Sequence, residues 1–300
     1  MKDQDTLRVA SLQYWIRPIQ SFEDFAEQAS LWVINAADYK AKIVVFPEYF
    51  TLQLFSLSLT SQALPDLVRA VSHFKSRYVE LFQKLAQTYS ITIIAGSIPA
   101  ESADKKLIHN ESHVFSANGG HAVQSKQFMT RFEKEDFGVA REAAGKLKVF
   151  EAEWGRFAVL ICYDVEFPEL VRLAAIAGAE VIFVPSCTDD RQGYLRVRYC
   201  AQARAIENQV YVVQSSTVGG LSRYPAACLN YGQSAILTPS DYGFSRDGIL
   251  AEGITNTETM VVGDLNLKLL RESRTNGSVL PFHDAKNTPD FSGRIELVKF

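Results

Sequence analysis

Short apolar strands alternate with amphipathic helices along most of this chain, and this alternation restricts the folds open to it. Lys42–Phe46 (KIVVF) and Val181–Val184 (VIFV) are apolar at nearly every position, not at every second one. Continuous apolar strands are typical of sheets that are covered on both faces. Because such strands alternate with helices, the sequence predicts an α/β protein built in layers.

Local signals set the bounds of the predicted elements. Ser21 followed by Asp24 predicts a capped helix start, and Asn118-Gly119 predicts a hairpin with a two-residue turn between Ser112–Ala117 and Gly120–Lys126. The other predicted strands are Leu7–Gln13, Lys42–Phe46, Ile91–Ser97, Phe157–Ile161, Val181–Val184 and Val210–Gln214, with more between Gln233 and Asp264. The predicted helices run from Ser21 to Tyr39, Leu67 to Tyr89, Phe167 to Ala177 and Tyr194 to Asn208.

The two halves of the chain share a pattern. Ile43–Pro47 and Val181–Pro185 are both apolar strands that end at a proline before a polar residue, Glu48 or Ser186. Each strand follows a helix, which predicts two similar halves around one site. No Gly/Ser/Pro-rich linker separates them, so we expect one domain over residues 1–280 and a C-terminal tail over residues 281–300.

Composition argues against several classes of protein. The net charge is −3, and no basic stripe is present to bind nucleic acid. No run approaches the roughly 20 apolar residues of a membrane span, and the polar start Met1–Asp5 lacks the apolar stretch of a signal peptide. The four cysteines form no CxxC pair, which favours a reduced, cytoplasmic compartment.

The histidines do not predict a metal site. The sequence contains no HExxH, and His109 and His113 lie four apart in a segment that reads as strand, so they do not share a helical face. A zinc site on this spacing is a weak hypothesis beside surface or core histidines.

Cys162 is the candidate nucleophile. It follows the predicted strand Phe157–Ile161 and precedes a helix, and strand ends are where open α/β sheets bind ligands. Backbone N–H groups at a helix start favour a thiolate. The alternative is a buried, inert cysteine; that reading suffices for Cys200 and Cys228, whereas Cys187 follows a strand end and can line the pocket.

A cysteine nucleophile needs a proton acceptor, which is usually a histidine. No histidine occupies a comparable strand end here; Glu48 and Lys126 do. Each alone is typical of a solvated surface charge, but together with Cys162 they indicate a Glu/Lys/Cys site.

Four short motifs in a fixed order extend this pattern. An apolar strand ends in Pro-Glu, a hairpin strand ends in lysine, a strand runs into the cysteine, and a later helix is rich in alanine and charge. These segments are Val45–Glu48, Gln124–Phe128, Ile161–Asp164 with Phe167–Glu169 behind it, and Ala203–Gln209.

With these motifs the chain resembles the nitrilase superfamily of carbon–nitrogen hydrolases from Leu7 to about Asp264. The resemblance implies a four-layer αββα sandwich with two central mixed β-sheets, and neither metal nor organic cofactor. It also implies that Glu48 is the general base, Cys162 the nucleophile and Lys126 the cation that stabilises the oxyanion. Glu133 is the expected second glutamate of the site, and Glu135 is the alternative. A further alternative of equal weight is that Glu133 is only a solvated surface charge. The expected substrate-contacting residues are Tyr49, Tyr163, Glu166, Cys187 and Thr188.

Departures from the family pattern bear on the substrate. Tyr163-Asp164 replaces the Trp-Glu usual in true nitrilases, which favours amidase or carbamoylase chemistry on a small linear amide or N-carbamoyl amine. Phe128 and Met129 replace a frequent His-Leu. A true nitrilase, an acyltransferase that passes the thioester to an amine, and a non-catalytic binding subunit remain alternatives. The resemblance also implies a homodimer or a higher homo-oligomer.

Glu166 is the departure with the sharpest consequence. Many amidase-like members have arginine four residues after the cysteine, where it can bind a substrate carboxylate in a bidentate pair. A carboxylate at this place predicts that the enzyme repels carboxylate-bearing amides and favours an amine or a neutral polar group. The alternative is that Glu166 caps the following helix or pairs with Arg172.

Overall fold

The computed structural model describes residues 5–57, 63–224, 229–291 and 293–299. Cys228 lies outside the described residues. The strands are β1 (Thr6–Ile16), β2 (Ile43–Phe46), β3 (Thr92–Ala95), β4 (Ile98–Glu101), β5 (Ile108–Phe115), β6 (His121–Ser125), β7 (Val149–Ala152), β8 (Gly155–Val159), β9 (Ala179–Ser186), β10 (Tyr211–Gly219), β11 (Ala235–Leu237), β12 (Ile249–Glu252) and β13 (Thr259–Asn266).

Helices and short 3₁₀ helices connect these strands. The α-helices are α1 (Phe22–Asp38), α2 (Leu64–Ser72), α3 (Lys75–Thr88), α4 (Arg131–Glu135), α5 (Pro168–Ile176), α6 (Arg191–Asn208), α7 (Leu267–Asn276) and α8 (Pro281–Asp284); the 3₁₀ helices are Phe50–Leu57, Cys162–Glu166 and Ala285–Phe291. Within the described ranges, no helix is both long and apolar enough to cross a membrane.

The strands form one hydrogen-bonded network that β1 divides into two sheets. Its main path runs β4-β5-β3-β2-β1-β10-β9-β8-β7, with β13 on β1, β6 on β5, and β11 and β12 beyond β10. β1 pairs with β2 through Val9–Ser11, but with β10 only through its last residues, Gln13–Ile16. Parallel pairs occupy the middle of both sheets and antiparallel pairs their edges, so each sheet is mixed.

Alternate residues of one strand face different layers. Val44 and Phe46 of β2 pack in an apolar cluster with residues of α1 and α3, whereas Ile43 and Val45 pack with residues of β8–β10 and of α5 and α6. Because side chains alternate across a strand, the sheet that contains β2 is covered by helices on one face and packs against the second sheet with its other face. The result is the αββα sandwich with two central mixed sheets that the resemblance implied.

Two predicted elements differ from the structure. The helix expected from Leu67 to Tyr89 is divided into α2 and α3 at His73 and Phe74, and the Phe74 ring stacks on Phe22 of α1 with centroids 5.7 Å apart. The hairpin turn has three residues, not two: Ser116 N–H donates to the Gly120 carbonyl (2.8 Å), and Gly119 takes a positive φ of 93° while Asn118 does not.

Gly96 separates β3 from β4 and touches the turn that presents Glu48. Its φ is +58°, and a Cβ there would lie 2.0 Å from the Pro47 carbonyl oxygen and 2.8 Å from the Phe50 ring. The neighbouring Ser97 hydroxyl accepts the Tyr49 N–H at 3.0 Å. The end of β3 therefore supports the backbone on both sides of Glu48.

We expect Gly96→Ala to destabilise the fold by about 3 kcal/mol, because left-handed strain and overpacking add. Gly138→Ala is the matched control: its φ is +68°, but a Cβ there would meet only Pro65, at 3.7 Å, so strain alone should cost about 1 kcal/mol. Urea unfolding measures both. Equal losses in the two variants would contradict the packing argument.

Candidate active site

Three strand ends bring the predicted site residues together. Glu48 lies two residues beyond β2, Lys126 directly follows β6, and Cys162 begins the 3₁₀ helix that follows β8. All three side chains are buried. They lie where α/β sheets commonly bind ligands, at strand carboxyl ends.

Cys162 has an unusual backbone conformation. Its φ is +48°, in the left-handed region that non-glycine residues rarely adopt. Ile161 before it is extended, and Asp164 N–H donates to the Ile161 carbonyl at 3.0 Å, so the chain turns sharply at the cysteine. The Cys162 Sγ lies 3.7 Å from the Cys187 carbonyl oxygen. Strain of this kind persists where the surrounding structure enforces it, and it clusters at functional sites.

Lys126 lies between two buried carboxylates. Its Nζ is 2.7 Å from Glu48 Oε1 and 2.6 Å from Glu133 Oε2. Glu133 is held by the start of α4, where Thr130 N–H donates to Glu133 Oε2 at 2.9 Å and the Thr130 hydroxyl accepts the Glu133 N–H. Glu135, the alternative second glutamate, is exposed and pairs with Arg131. The structure therefore places Glu133, and not Glu135, against Lys126.

Asn110 belongs to this cluster although the sequence did not suggest it. Its Nδ2 donates to Glu48 Oε1 at 2.9 Å and to Glu133 Oε1 at 3.2 Å. Asn110 lies on β5 but before the predicted strand Ser112–Ala117, so the sequence pattern gave no signal for it. Tyr49, predicted to contact substrate, donates its hydroxyl to Glu133 Oε1 at 3.0 Å. The two carboxylates are thus joined by one ammonium and one amide.

Asp164 joins the lysine segment to the cysteine turn. Its carboxylate accepts backbone N–H groups from Phe128 (2.8 Å), Gln127 (3.1 Å) and Ile161 (3.3 Å). Burial raises the pKa of Asp164 to about 7, against the lowering effect of Lys126 and of these donors. The sequence marked Asp164 only as part of the cysteine motif, with no role.

Burial and charge decide the protonation states. Burial raises the pKa of the Cys162 thiol well above its ordinary value, and the negative charge of Glu48 adds to this. Burial also raises the pKa of Glu48, which Lys126 opposes. Burial lowers the pKa of Lys126, but the two carboxylates outweigh it, so the pKa of Lys126 is raised well above the usual value. The expectation that the helix start favours a thiolate is wrong: the resting cysteine is a thiol.

Three other residues were predicted to contact substrate: Cys187, Thr188 and Tyr163. Cys187 and Thr188 lie beside the site: Cys187 N–H donates to Glu48 Oε2 at 3.1 Å, and the Thr188 hydroxyl donates to the Tyr231 carbonyl. Burial raises the pKa of Cys187 to about 12, and its thiol donates to Asn230 Oδ1 at 3.2 Å. Tyr163 packs its ring against Phe167, with centroids 5.0 Å apart.

Glu166 is not free to meet an amine. Its Oε1 accepts Arg196 Nε from α6 at 3.0 Å. Arg172, the partner considered from sequence, donates to the Glu207 carbonyl instead. The expected free carboxylate is therefore an ion pair, because α6 crosses the end of the 3₁₀ helix.

A family model described as carbon-nitrogen hydrolase matches residues 8–275. The chain is 43% identical over 281 residues to the probable hydrolase YhcX of Bacillus subtilis, covering 93% of this chain but only 54% of that protein. It is 25% identical over 276 residues to the omega-amidase NIT2-B of Xenopus laevis, covering 89% and 91% of the two chains. A carbon-nitrogen hydrolase structure from Helicobacter pylori G27 superposes with a TM-score of 0.79 at 19% identity, covering 98% and 99%.

The chain belongs to the carbon–nitrogen hydrolase family of the nitrilase superfamily. It spans about half the length of YhcX. Among the described residues, no group of three or more His, Cys, Asp or Glu side chains is arranged to hold a metal ion.

The buried charge cluster predicts a pH-dependent loss of stability in Lys126→Met. Without the ammonium, burial raises the pKa of both carboxylates in the folded protein above their unfolded values. The folded state then binds protons more tightly, so stability is retained at low pH and lost as pH rises. We expect a loss of about 3–5 kcal/mol at pH 8 and a smaller loss at pH 5.

Lys134→Met is the control, because Lys134 lies next to Glu133 on α4 but its side chain is exposed. Its melting temperature should stay within a degree or two of wild type at both pH values, since exposed charges contribute little. A Lys126→Met protein with the same loss at pH 5 and pH 8 would contradict the cluster's proposed charge balance.

Proposed function

We propose that the protein is a cysteine-dependent amidohydrolase for a small linear amide or N-carbamoyl amine, working through a thioester without metal or organic cofactor. The observation that carries the proposal is the buried Lys126 ammonium between Glu48 and Glu133, with Cys162 buried at a neighbouring strand end. This arrangement supplies a base, a cation and a nucleophile at one place. The omega-amidase relative supports amide substrates over nitriles.

The first half-reaction forms the thioester. Glu48 takes the thiol proton as Cys162 Sγ attacks the amide carbon, and the carbonyl oxygen becomes an oxyanion. Lys126 and the Tyr163 N–H stabilise that charge; donors of this type are often worth about 3 kcal/mol each. The carbon–nitrogen bond then breaks, and the leaving nitrogen takes the proton from Glu48 to depart as ammonia or an amine.

The second half-reaction returns the enzyme. Glu48 takes a proton from water, and the resulting hydroxide attacks the thioester carbon. The carbon–sulfur bond breaks and the acid leaves. The Cys162 thiolate recovers its proton from Glu48. The raised pKa of Glu48 suits it to both directions of transfer, because a base acts best when its pKa is near the working pH.

The test is ammonia release across linear amides, N-carbamoyl amines and nitriles. Cys162→Ala should lose turnover by on the order of 10⁴-fold or more, because covalent catalysis is removed, while its melting temperature stays near wild type. Cys200→Ala, half-buried on α6, is the matched control and should keep full activity. Retention of a tenth of wild-type rate by Cys162→Ala would reject the nucleophile. Turnover of nitriles alone would favour a true nitrilase, and turnover only with an added amine would favour acyl transfer.

We also propose that the enzyme is a homodimer or higher homo-oligomer in the cytoplasm. Helices α5 and α6 pack against each other and expose apolar side chains: Leu173, Ile176, Tyr199 and Ile206. A second copy of the chain is the occupant that the family resemblance suggests for such a face. Cys162, Cys187 and Cys200 are free thiols, which fits a reducing compartment. The low net charge argues for a small-molecule partner, not nucleic acid.

The paired change Leu173→Glu and Ile176→Glu should convert the oligomer to monomers, because buried carboxylates at a subunit interface are costly. Sedimentation velocity measures the mass. Leu31→Glu, at an exposed position on α1 in the other helical layer, should leave the mass unchanged. A wild-type protein that sediments as a monomer would refute the oligomer proposal.

A further inference from the structure

An ion pair lies at the far end of the turn that presents the nucleophile. Cys162 begins the 3₁₀ helix and Glu166 ends it; at about 2.0 Å rise per residue, the two residues are roughly 8 Å apart along its axis. Glu166 accepts Arg196 Nε at 3.0 Å, and the two side chains are 13% and 56% exposed, respectively. Arg196 is the more exposed of the two, so an incoming ligand would contact the cation before the carboxylate.

Arg196 keeps most of its donors free. Only its Nε donates to Glu166; across the described part of the chain, Nη1 and Nη2 have no hydrogen-bond partner. A guanidinium held at Nε presents its two terminal nitrogens as a planar fork, which matches a carboxylate.

The support behind the pair is rigid. Arg204, buried on α6, donates Nε to the Val165 carbonyl and Nη2 to the Glu166 carbonyl, both at 3.0 Å. These bonds fix the end of the 3₁₀ helix and with it the position of Glu166. The Glu166 carboxylate in turn fixes the Arg196 guanidinium. Preorganisation of this kind reduces the entropy lost on binding.

The guanidinium is bound to the same short helix that presents the proposed nucleophile. Arg196 donates to Glu166 at the end of this helix, and Cys162 lies at its start; the hydrogen bond raises the pKa of Arg196. A cation held at the end of this helix can bind one end of a short substrate while the other end reacts at Cys162.

We infer that Arg196 binds the carboxylate end of the substrate, so that the preferred substrates are linear amides ending in a carboxylate, and that Glu166 is a positioning residue for Arg196. The inference rests on the proposed amidase function and names its substrate class. Glu166 alone, read from the sequence, predicted that carboxylate-bearing amides are repelled. The inference is the opposite, because Glu166 forms an ion pair with an arginine of another helix.

The first experiment compares kcat and KM for linear amides matched in length that end in carboxylate, methyl or ammonium. Wild type should prefer the carboxylate. Arg196→Gln should lose about tenfold or more in kcat/KM for that substrate alone, mainly through KM, because uniform binding is removed. Glu166→Gln should raise KM less. Arg156→Gln is the control and should change nothing: Arg156 is 51% exposed, pairs with Glu151 and lies at the start of β8, whereas Cys162 follows the end of that strand.

A wild-type preference for methyl or ammonium amides, or an equal loss for all three substrates in Arg196→Gln, would overturn the inference. A KM effect confined to the carboxylate substrate would support it.

The second experiment does not depend on turnover. Iodoacetamide labelling of Cys162, followed by peptide mass spectrometry, is timed with succinate, with glutarate and with uncharged 1,4-butanediol. The two dicarboxylates should slow labelling of wild type and of Arg156→Gln, but not of Arg196→Gln; the diol should protect none. Protection without any ammonia release would keep the anion site and reject the amidase. Ammonia release without protection or carboxylate preference would reject the anion site and keep the amidase.

Discussion

The contact of Lys126 with two buried carboxylates is the interaction on which the site depends. A charge transferred from water to a protein interior costs several kcal/mol unless it is paired and hydrogen-bonded. Here one ammonium and one amide connect Glu48 to Glu133, and the three charges come from β2, β6 and α4. The ends of β2 and β6 and the helix α4 must therefore lie within a few ångströms of one another. The packing of the sandwich thus determines the geometry of the site.

The same cluster bears on the proposed role of the cysteine. Burial and the negative charge of Glu48 raise the pKa of the Cys162 thiol. The proposed mechanism therefore needs a base that acts in concert with attack, and Glu48 is the group that we propose for it. Asp164 accepts backbone N–H groups from both the lysine segment and the cysteine turn, so that Lys126 and Cys162 keep their spacing.

The elements that the sequence predicted well are those with strong local signals. Ser21 and Asp24 form the capping box that their spacing indicated, and β2 matches its apolar run to within one residue. β1 and β10 both extend beyond their apolar runs, to Ile16 and Gly219, because their last residues pair with each other. The break between α2 and α3 falls where Phe74 stacks on Phe22 of α1, a long-range contact that no local pattern contains.

The sequence by itself determined the layered α/β class and the place of Glu48, Lys126 and Cys162 at strand ends, because periodicity and strand-terminal residues are local properties. Only the tertiary structure decided which charges meet. Asn110 reaches Glu48 across 62 residues of chain, Tyr49 reaches Glu133 across 84, and Arg196 reaches Glu166 across 30. Such contacts depend on how the layers pack and not on the residues beside them in sequence. The sequence therefore left open whether Glu166 meets substrate, caps the following helix or pairs with Arg172, whereas the fold pairs it with Arg196 of α6.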